Sequence, residues 1–258
     1  MSGRPGVEVA RHELVLIRSE PVPVLIFLVM PLVLMAFVQN TFGLYLRLVE
    51  QRSGATGAEV AVPGQATLFA FMATATLGYY YLGDHSWGTW TRARSLGVGE
   101  GSLVGGKLAV AYAHQLVQLS LLFGFGAVAF GLRIQGSVLG FVAVALALCL
   151  FVVAYGFLAC VVAKSQAQFN AFAYLGALLM AGVSGALTPF GALPGWVQAV
   201  GRCVPTYWAV RGFRSVLLDD GSLAGVGWSV LVLLVGALVV AGVAVFLFDP
   251  DERKSTYA

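Results

Sequence analysis

The sequence predicts an all-α protein that crosses a membrane six times, and three observations carry that fold class. Only 10 per cent of its 258 residues are charged, whereas a soluble domain carries about 25 per cent, and 59 per cent are hydrophobic. Asp, Glu, Lys and Arg are missing from six stretches: 21–46, 60–83, 108–132, 134–163, 165–201 and 221–248. Each exceeds the roughly 20 apolar residues that a helix needs to cross the hydrocarbon layer. A membrane barrel would show short segments of alternating polarity, but runs such as 142–150 and 231–235 are continuous. So little charge cannot coat a water-facing surface, and so much apolar surface does not stay disordered. The net charge of +3 comes without a Lys/Arg run, which gives no case for a nucleic-acid partner. Cys149 and Cys160 stand about 16 Å apart on a helix, too far to bridge, and Cys203 stands in a loop.

In chain order, the first element is an amphipathic helix over 7–19. Val7, Ala10, Leu14 and Ile17 share one side and Arg4, Glu8, Arg11 and Arg18 the other, with Glu13 interrupting the apolar face. Such a helix is expected to lie in the headgroup plane against membrane lipid, and Pro21 with Pro23 then bends the chain into the bilayer. Acidic Glu8, Glu13 and Glu20 ahead of the apolar run distinguish this start from a cleaved signal peptide. Spans are expected at about 22–46, 62–83, 108–131, 137–162, 169–187 and 228–248. The fifth charge-free stretch is too long for one crossing and too short for two. Pro189, Gly191, Pro194 and Gly195 should stop its helix near Leu187. The segment 188–208 is expected to be re-entrant, returning through Pro205, Thr206, Tyr207 and Trp208. Backbone of that kind is tolerated at depth only where protein or a water-filled cavity shields it.

Six crossings put both termini on one side. With the termini in the cytoplasm, the inner segments hold nine Lys/Arg (Arg4, Arg11, Arg18, Arg92, Arg94, Lys107, Lys164, Arg253, Lys254). The outer ones hold six (Arg47, Arg52, Arg133, Arg202, Arg211, Arg214), the sense the positive-inside rule requires. The longest inner loop, 84–107, carries Trp87, Trp90, Arg92 and Arg94. Its end, from Gly101 to Leu108, imitates a phosphate-binding loop but puts Leu108 where a Ser or Thr hydroxyl must meet Mg²⁺. Lys107 is expected to reach for the membrane edge.

His114 and Gln118 are four apart on the third span and share a face. They either line a path or hydrogen-bond a neighbouring helix, and no Cys, Asp, Glu or second His stands beside His114 at metal-ligand spacing. No charge-free stretch supplies the Asp, Glu, Lys or Arg that ion-driven transporters place in the membrane, which leaves His114 as the only ionisable candidate. Neither H-E-x-x-H nor G-x-S-x-G occurs. Work done by this chain therefore draws its energy from elsewhere. Tyr79, Tyr80, Tyr81 and Trp87 inside, with Trp196, Tyr207 and Trp208 outside, fit interfacial belts, and the outer group equally fits stacking on sugars or flat molecules.

The chain resembles the permease subunit of the type-2 ABC exporter family along nearly its whole length. Gly88-Thr89-Trp90-Thr91-Arg92-Ala93-Arg94-Ser95-Leu96-Gly97-Val98, followed by Gly106-Lys107-Leu108, is similar to that family's coupling segment. It departs from the pattern at His85-Ser86-Trp87, where acidic residues are usual, and at Gly97, where Pro is usual. Pro189…Leu193-Pro194-Gly195-Trp196-Val197-Gln198, then Pro205-Thr206-Tyr207-Trp208 and Arg211, resembles the signature before the last span.

The resemblance implies a permease that pairs with a second, identical chain and with two copies of a cytosolic ABC ATPase, in the cell membrane of a prokaryote. ATP and Mg²⁺ would be bound by that ATPase, with no cofactor in this chain. Trp87, Thr89, Trp90, Arg92, Arg94, Leu96 and Glu100 would couple to it. His114, Gln118, Pro189, Pro194, Trp196, Pro205, Tyr207 and Trp208 would form the translocation path or outer gate. The expected cargo is hydrophobic or amphipathic (drug, antibiotic or lipid-like) and moves outward. Alternatives are polysaccharide or glycolipid export, a non-transporting membrane assembly protein, or a lipid enzyme using Asp219 and Asp220.

Overall fold

The computed structural model describes residues 5–19, 21–52 and 54–249. Arg4, Glu20, Arg253 and Lys254 lie outside the described residues, as do the side chains of Glu13, Ile17, Arg18, Pro21 and Pro23. The described residues form helices and no strand: α1 (Pro5–Ser19), α2 (Pro21–Leu48), α3 (Ala58–Met72), α4 (Thr74–Ser86), α5 (Thr89–Ser95) and α6 (Glu100–Phe130). There follow α7 (Val138–Val162), α8 (Gln166–Ser184), a 3-10 turn (Phe190–Ala192), α9 (Gly195–Cys203), α10 (Pro205–Leu218) and α11 (Gly227–Leu247). Six helical segments are long and apolar enough to cross a membrane, with α3 and α4 together making the second. The fold is all-α, as the charge-free stretches predict.

The second span is the axis of the bundle. Of its most apolar window 78 per cent is buried, against 17 per cent for α2 and for α11, whose outer faces are left to lipid or to another chain. Small side chains permit this. A Cβ on Gly64 would come within 2.5 Å of the Ala186 carbonyl, and one on Gly78 within 2.2 Å of the Phe169 ring, so α8 approaches this axis closely at both ends. The regular helix is interrupted at Ala73 without a proline there, and the Thr74 hydroxyl donates back to the Phe71 carbonyl at 2.6 Å.

The helix α1 packs on the start of α6, where Gly106 leaves room for Val9 and the Gly6 carbonyl. Val7 and Leu14 keep 60 and 55 per cent of their surface exposed. The largest departure from the sequence reading concerns α6. It begins at Glu100 rather than near 108, so residues expected in a loop form two further helical turns. Lys107 does not reach outward: its side chain is 2 per cent exposed and its Nζ pairs with Asp84 Oδ2 at 2.6 Å. The stop after α8 also comes slightly earlier than Leu187, at Ser184, because Gly185 (φ +86°) takes the left-handed cap.

Candidate functional site

Three features could serve transport: a helical turn at one end of the bundle, an apolar groove along its side, and a polar pocket at the other end. The turn joins α4, α5 and α6. Asp84 is its hub, accepting the Thr89 hydroxyl at Oδ1 (2.5 Å) and Lys107 at Oδ2 (2.6 Å), so one carboxylate ties three helices together. A second pair, Arg94 to Glu100 at 2.9 Å, closes α5 onto the first turn of α6. Between them Trp90 is 3 per cent exposed. Its ring stacks on His85 (centroids 4.6 Å apart) and packs at 5.9 Å from Tyr81 and 6.4 Å from Phe248, just past α11. Aromatic pairs at such distances add about 1 kcal/mol each beyond buried area.

The short helix α5 is thus held on one face and open on the other, where Trp87 (53 per cent) and Leu96 (76 per cent) are exposed together with Arg92. Left-handed glycines flank it, Gly88 (φ +71°) and Gly97 (φ +81°). At Gly97 the chain forms a two-bond helix stop: Gly97 N–H donates to the Arg94 carbonyl and Val98 N–H to that of Ala93. Proline fixes φ near −65° and cannot take that conformation, which accounts for the glycine in this loop. Of the seven residues expected here, Trp90 is buried, the exposed Thr89 and the half-exposed Arg94 and Glu100 are tied by their polar groups, and Trp87, Arg92 and Leu96 are exposed, Trp87 with its ring 6.1 Å from that of Tyr79. The sequence reading missed Asp84, Lys107, His85 and Phe248. The only signal for the first two was one acid and one base at facing ends of consecutive spans.

The groove, about 740 Å³, runs between α2, the α3–α4 span and α8. Phe27, Met30, Leu68 and Phe69 give an apolar wall, and Tyr79, Tyr80, Gln166 and Asn170 make the end nearest the turn polar. Gln118 is behind this wall, its amide donating to the Phe27 and Phe69 carbonyls at 3.1 and 3.3 Å. That matches the interhelical hydrogen-bonding alternative. His114 borders a separate cavity of about 20 Å³ with Thr76, Lys107 and Gln115. Among the described residues no three His, Cys, Asp or Glu side chains gather as a metal site.

At the opposite end Pro189 precedes the 3-10 turn, Pro194 caps α9, and Pro205 is the first residue of α10, the position where a missing N–H costs nothing. Tyr207 packs on Phe190 at 4.5 Å and Trp208 donates its indole N–H to the Arg202 carbonyl. Trp196 stands apart, 73 per cent exposed. Glu50, Arg52, Arg214 and Asp219 form a linked ion network: Arg214 meets Glu50, Arg52 meets Asp219, and Arg52 approaches Glu50 at 3.7 Å. Asp219 is engaged there, and Asp220 bears a left-handed φ of +52°, so the two do not present a free carboxylate pair. Tyr207, Arg211, Arg214 and Ser229 border a polar pocket of about 350 Å³.

Six apolar helices around a tightly packed axis define a multi-pass membrane protein. Residues 50–246 match the family model described as ABC-2 family transporter protein, and the chain belongs to that family. Comparison with curated proteins gives no match. Membership makes this chain an ABC exporter permease and implies partnership with an ABC ATPase, usually with dimerisation.

Proposed function

We propose that the chain exports a hydrophobic or amphipathic molecule (drug, antibiotic or lipid-like) as a homodimer driven by two cytosolic ATPase subunits. The observation that carries this reading is the one-sided anchoring of α5. Its inner face is fixed to three spans through Asp84, Trp90 and Arg94, while Arg92, Leu96 and the half-exposed Trp87, whose ring rests on Tyr79, present surface to a partner. ATP and Mg²⁺ belong to that partner, and closure of its two nucleotide sites would push α5. Trp90 would pass the push to α4 and the end of α11, and the Asp84–Lys107 pair would pass it to α6. The apolar groove beside α2 and α8 supports the cargo class, because transfer of apolar surface out of water favours such a wall. Segment 188–208 would act as the outer gate, with both termini in the cytoplasm and the chain in the cell membrane of a prokaryote. The exposed Trp196 supports a second reading, in which the same machinery moves a glycolipid or polysaccharide, since indole rings stack on sugars.

The test is capture of an ABC ATPase encoded in the same genome by the purified chain. The triple substitution Trp87→Ala, Arg92→Ala, Leu96→Ala should abolish capture at a small cost in melting temperature, because Arg92 and Leu96 are exposed and Trp87 gives up only its packing on Tyr79 and Gly83. Undiminished capture would show that α5 is not the docking element.

A further inference from the structure

The pocket bordered by Tyr207, Arg211 and Ser229 has a charge that the surrounding structure does not cancel. Its walls come from the end of α8 (Ser184), the 3-10 turn (Phe190), α10 and the start of α11. Of the charged groups there, Arg214 is neutralised by Glu50, and Asp219 by Arg52. Arg211 has no hydrogen bond or ion pair to a described residue, and its guanidinium lies 5.1 Å from the centre of the Trp208 ring. An aromatic face holds a guanidinium in place without removing its formal charge. Ser229 belongs to the first turn of α11, a 21-residue helix whose N-terminus adds partial positive charge to the same wall. Ser229 is buried in the pocket wall, and the Ser184 hydroxyl is already donated to the Ala181 carbonyl at 3.1 Å, which leaves the Ser229 hydroxyl as the serine donor there.

We propose that this pocket binds a phosphate group, held by Arg211 with the hydroxyls of Tyr207 and Ser229. A planar guanidinium offers paired N–H donors to two phosphate oxygens, and the hydroxyls supply donors to the rest. A volume of about 350 Å³ admits a whole phosphodiester headgroup. The pocket is at the end of the bundle remote from α5. It therefore adds a ligand class to the outer-gate reading and rests on that reading only for the direction of traffic. The binding itself requires no ATPase.

The experiment titrates the purified full chain in detergent by thermophoresis with three probes: dihexanoylphosphatidylglycerol, inorganic phosphate and uncharged dihexanoylglycerol. Saturable binding of the phosphatidylglycerol, at least tenfold weaker in Arg211→Gln and weakened to an intermediate degree in Arg211→Lys, which keeps the charge but loses the paired donors, is the expected result. The substitution Arg133→Gln, which removes an exposed charge outside the pocket, should leave affinity unchanged. Inorganic phosphate bound as tightly, with the same dependence on Arg211, would make a free anion rather than a lipid headgroup the source of the phosphate. Equal affinity of wild type and Arg211→Gln overturns the proposal, as does dihexanoylglycerol binding as well as the anion, or no saturable binding of either anion at millimolar concentration. Helical content by circular dichroism reports separately whether Arg211→Gln has folded.

Discussion

The two ends of the bundle treat charge in opposite ways. At the α4–α5–α6 turn, ions are used as internal ties: Lys107 is 2 per cent exposed, Asp84 is 18 per cent exposed, and the aromatic stack on Trp90 keeps water out. At the other end no tie is as dry as the Asp84–Lys107 pair, although Arg214 and Glu50 are no wetter than Arg94 and Glu100. Arg52 and Asp219 are 37 and 42 per cent exposed, and Arg211 is left over beside a pocket. A dry, cross-linked end suits transmission of force, since it moves as one piece. A wet end with spare charge suits meeting something from outside the protein.

If that contrast is real, stability should be lost unevenly. The largest effect is expected for Trp90→Ala, which empties a site shared by α4, α5 and the end of α11 and should cost about 4 kcal/mol, read as a drop in melting temperature in detergent. Next, Asp84→Ala leaves Lys107 buried without its carboxylate and should cost about 3 kcal/mol. The double variant Asp84→Ala, Lys107→Met should recover most of that, because an apolar side chain suits the same space. The smallest effect is expected at the opposite end, where Asp219→Asn removes a half-exposed partner of Arg52 and should cost about 0.5 kcal/mol. Equal losses for Asp84→Ala and Asp219→Asn would erase the distinction between the two ends.

Much of this fold was legible in the sequence because membrane helices must exclude charge, and six charge-free stretches marked six spans. The same rule hid the turn. It treats every Asp or Lys as a boundary, so Asp84 and Lys107 read as loop residues, although each satisfies the other across two helices. The early start of α6 follows from that pairing and from the Arg94–Glu100 tie, neither of which a single chain position announces. The interruption at Ala73 has no Gly or Pro to announce it, and only the Thr74 hydroxyl bonded to the Phe71 carbonyl marks it. Gly97 read as a departure from the family's proline until its φ of +81° showed the helix stop that it permits. Within the candidate site, exposed Trp87, Arg92 and Leu96 were visible by residue type, whereas the burial of Trp90 depends on a tertiary aromatic cluster.

The central claim is that this chain supplies the passage and another protein supplies the energy. Its most direct test is flux of a labelled amphiphile in proteoliposomes containing the chain with or without its ATPase. The account predicts ATP-dependent accumulation against a gradient only when both proteins are present, and its loss with the Trp87, Arg92 and Leu96 triple variant. Uphill accumulation by the chain alone would contradict it.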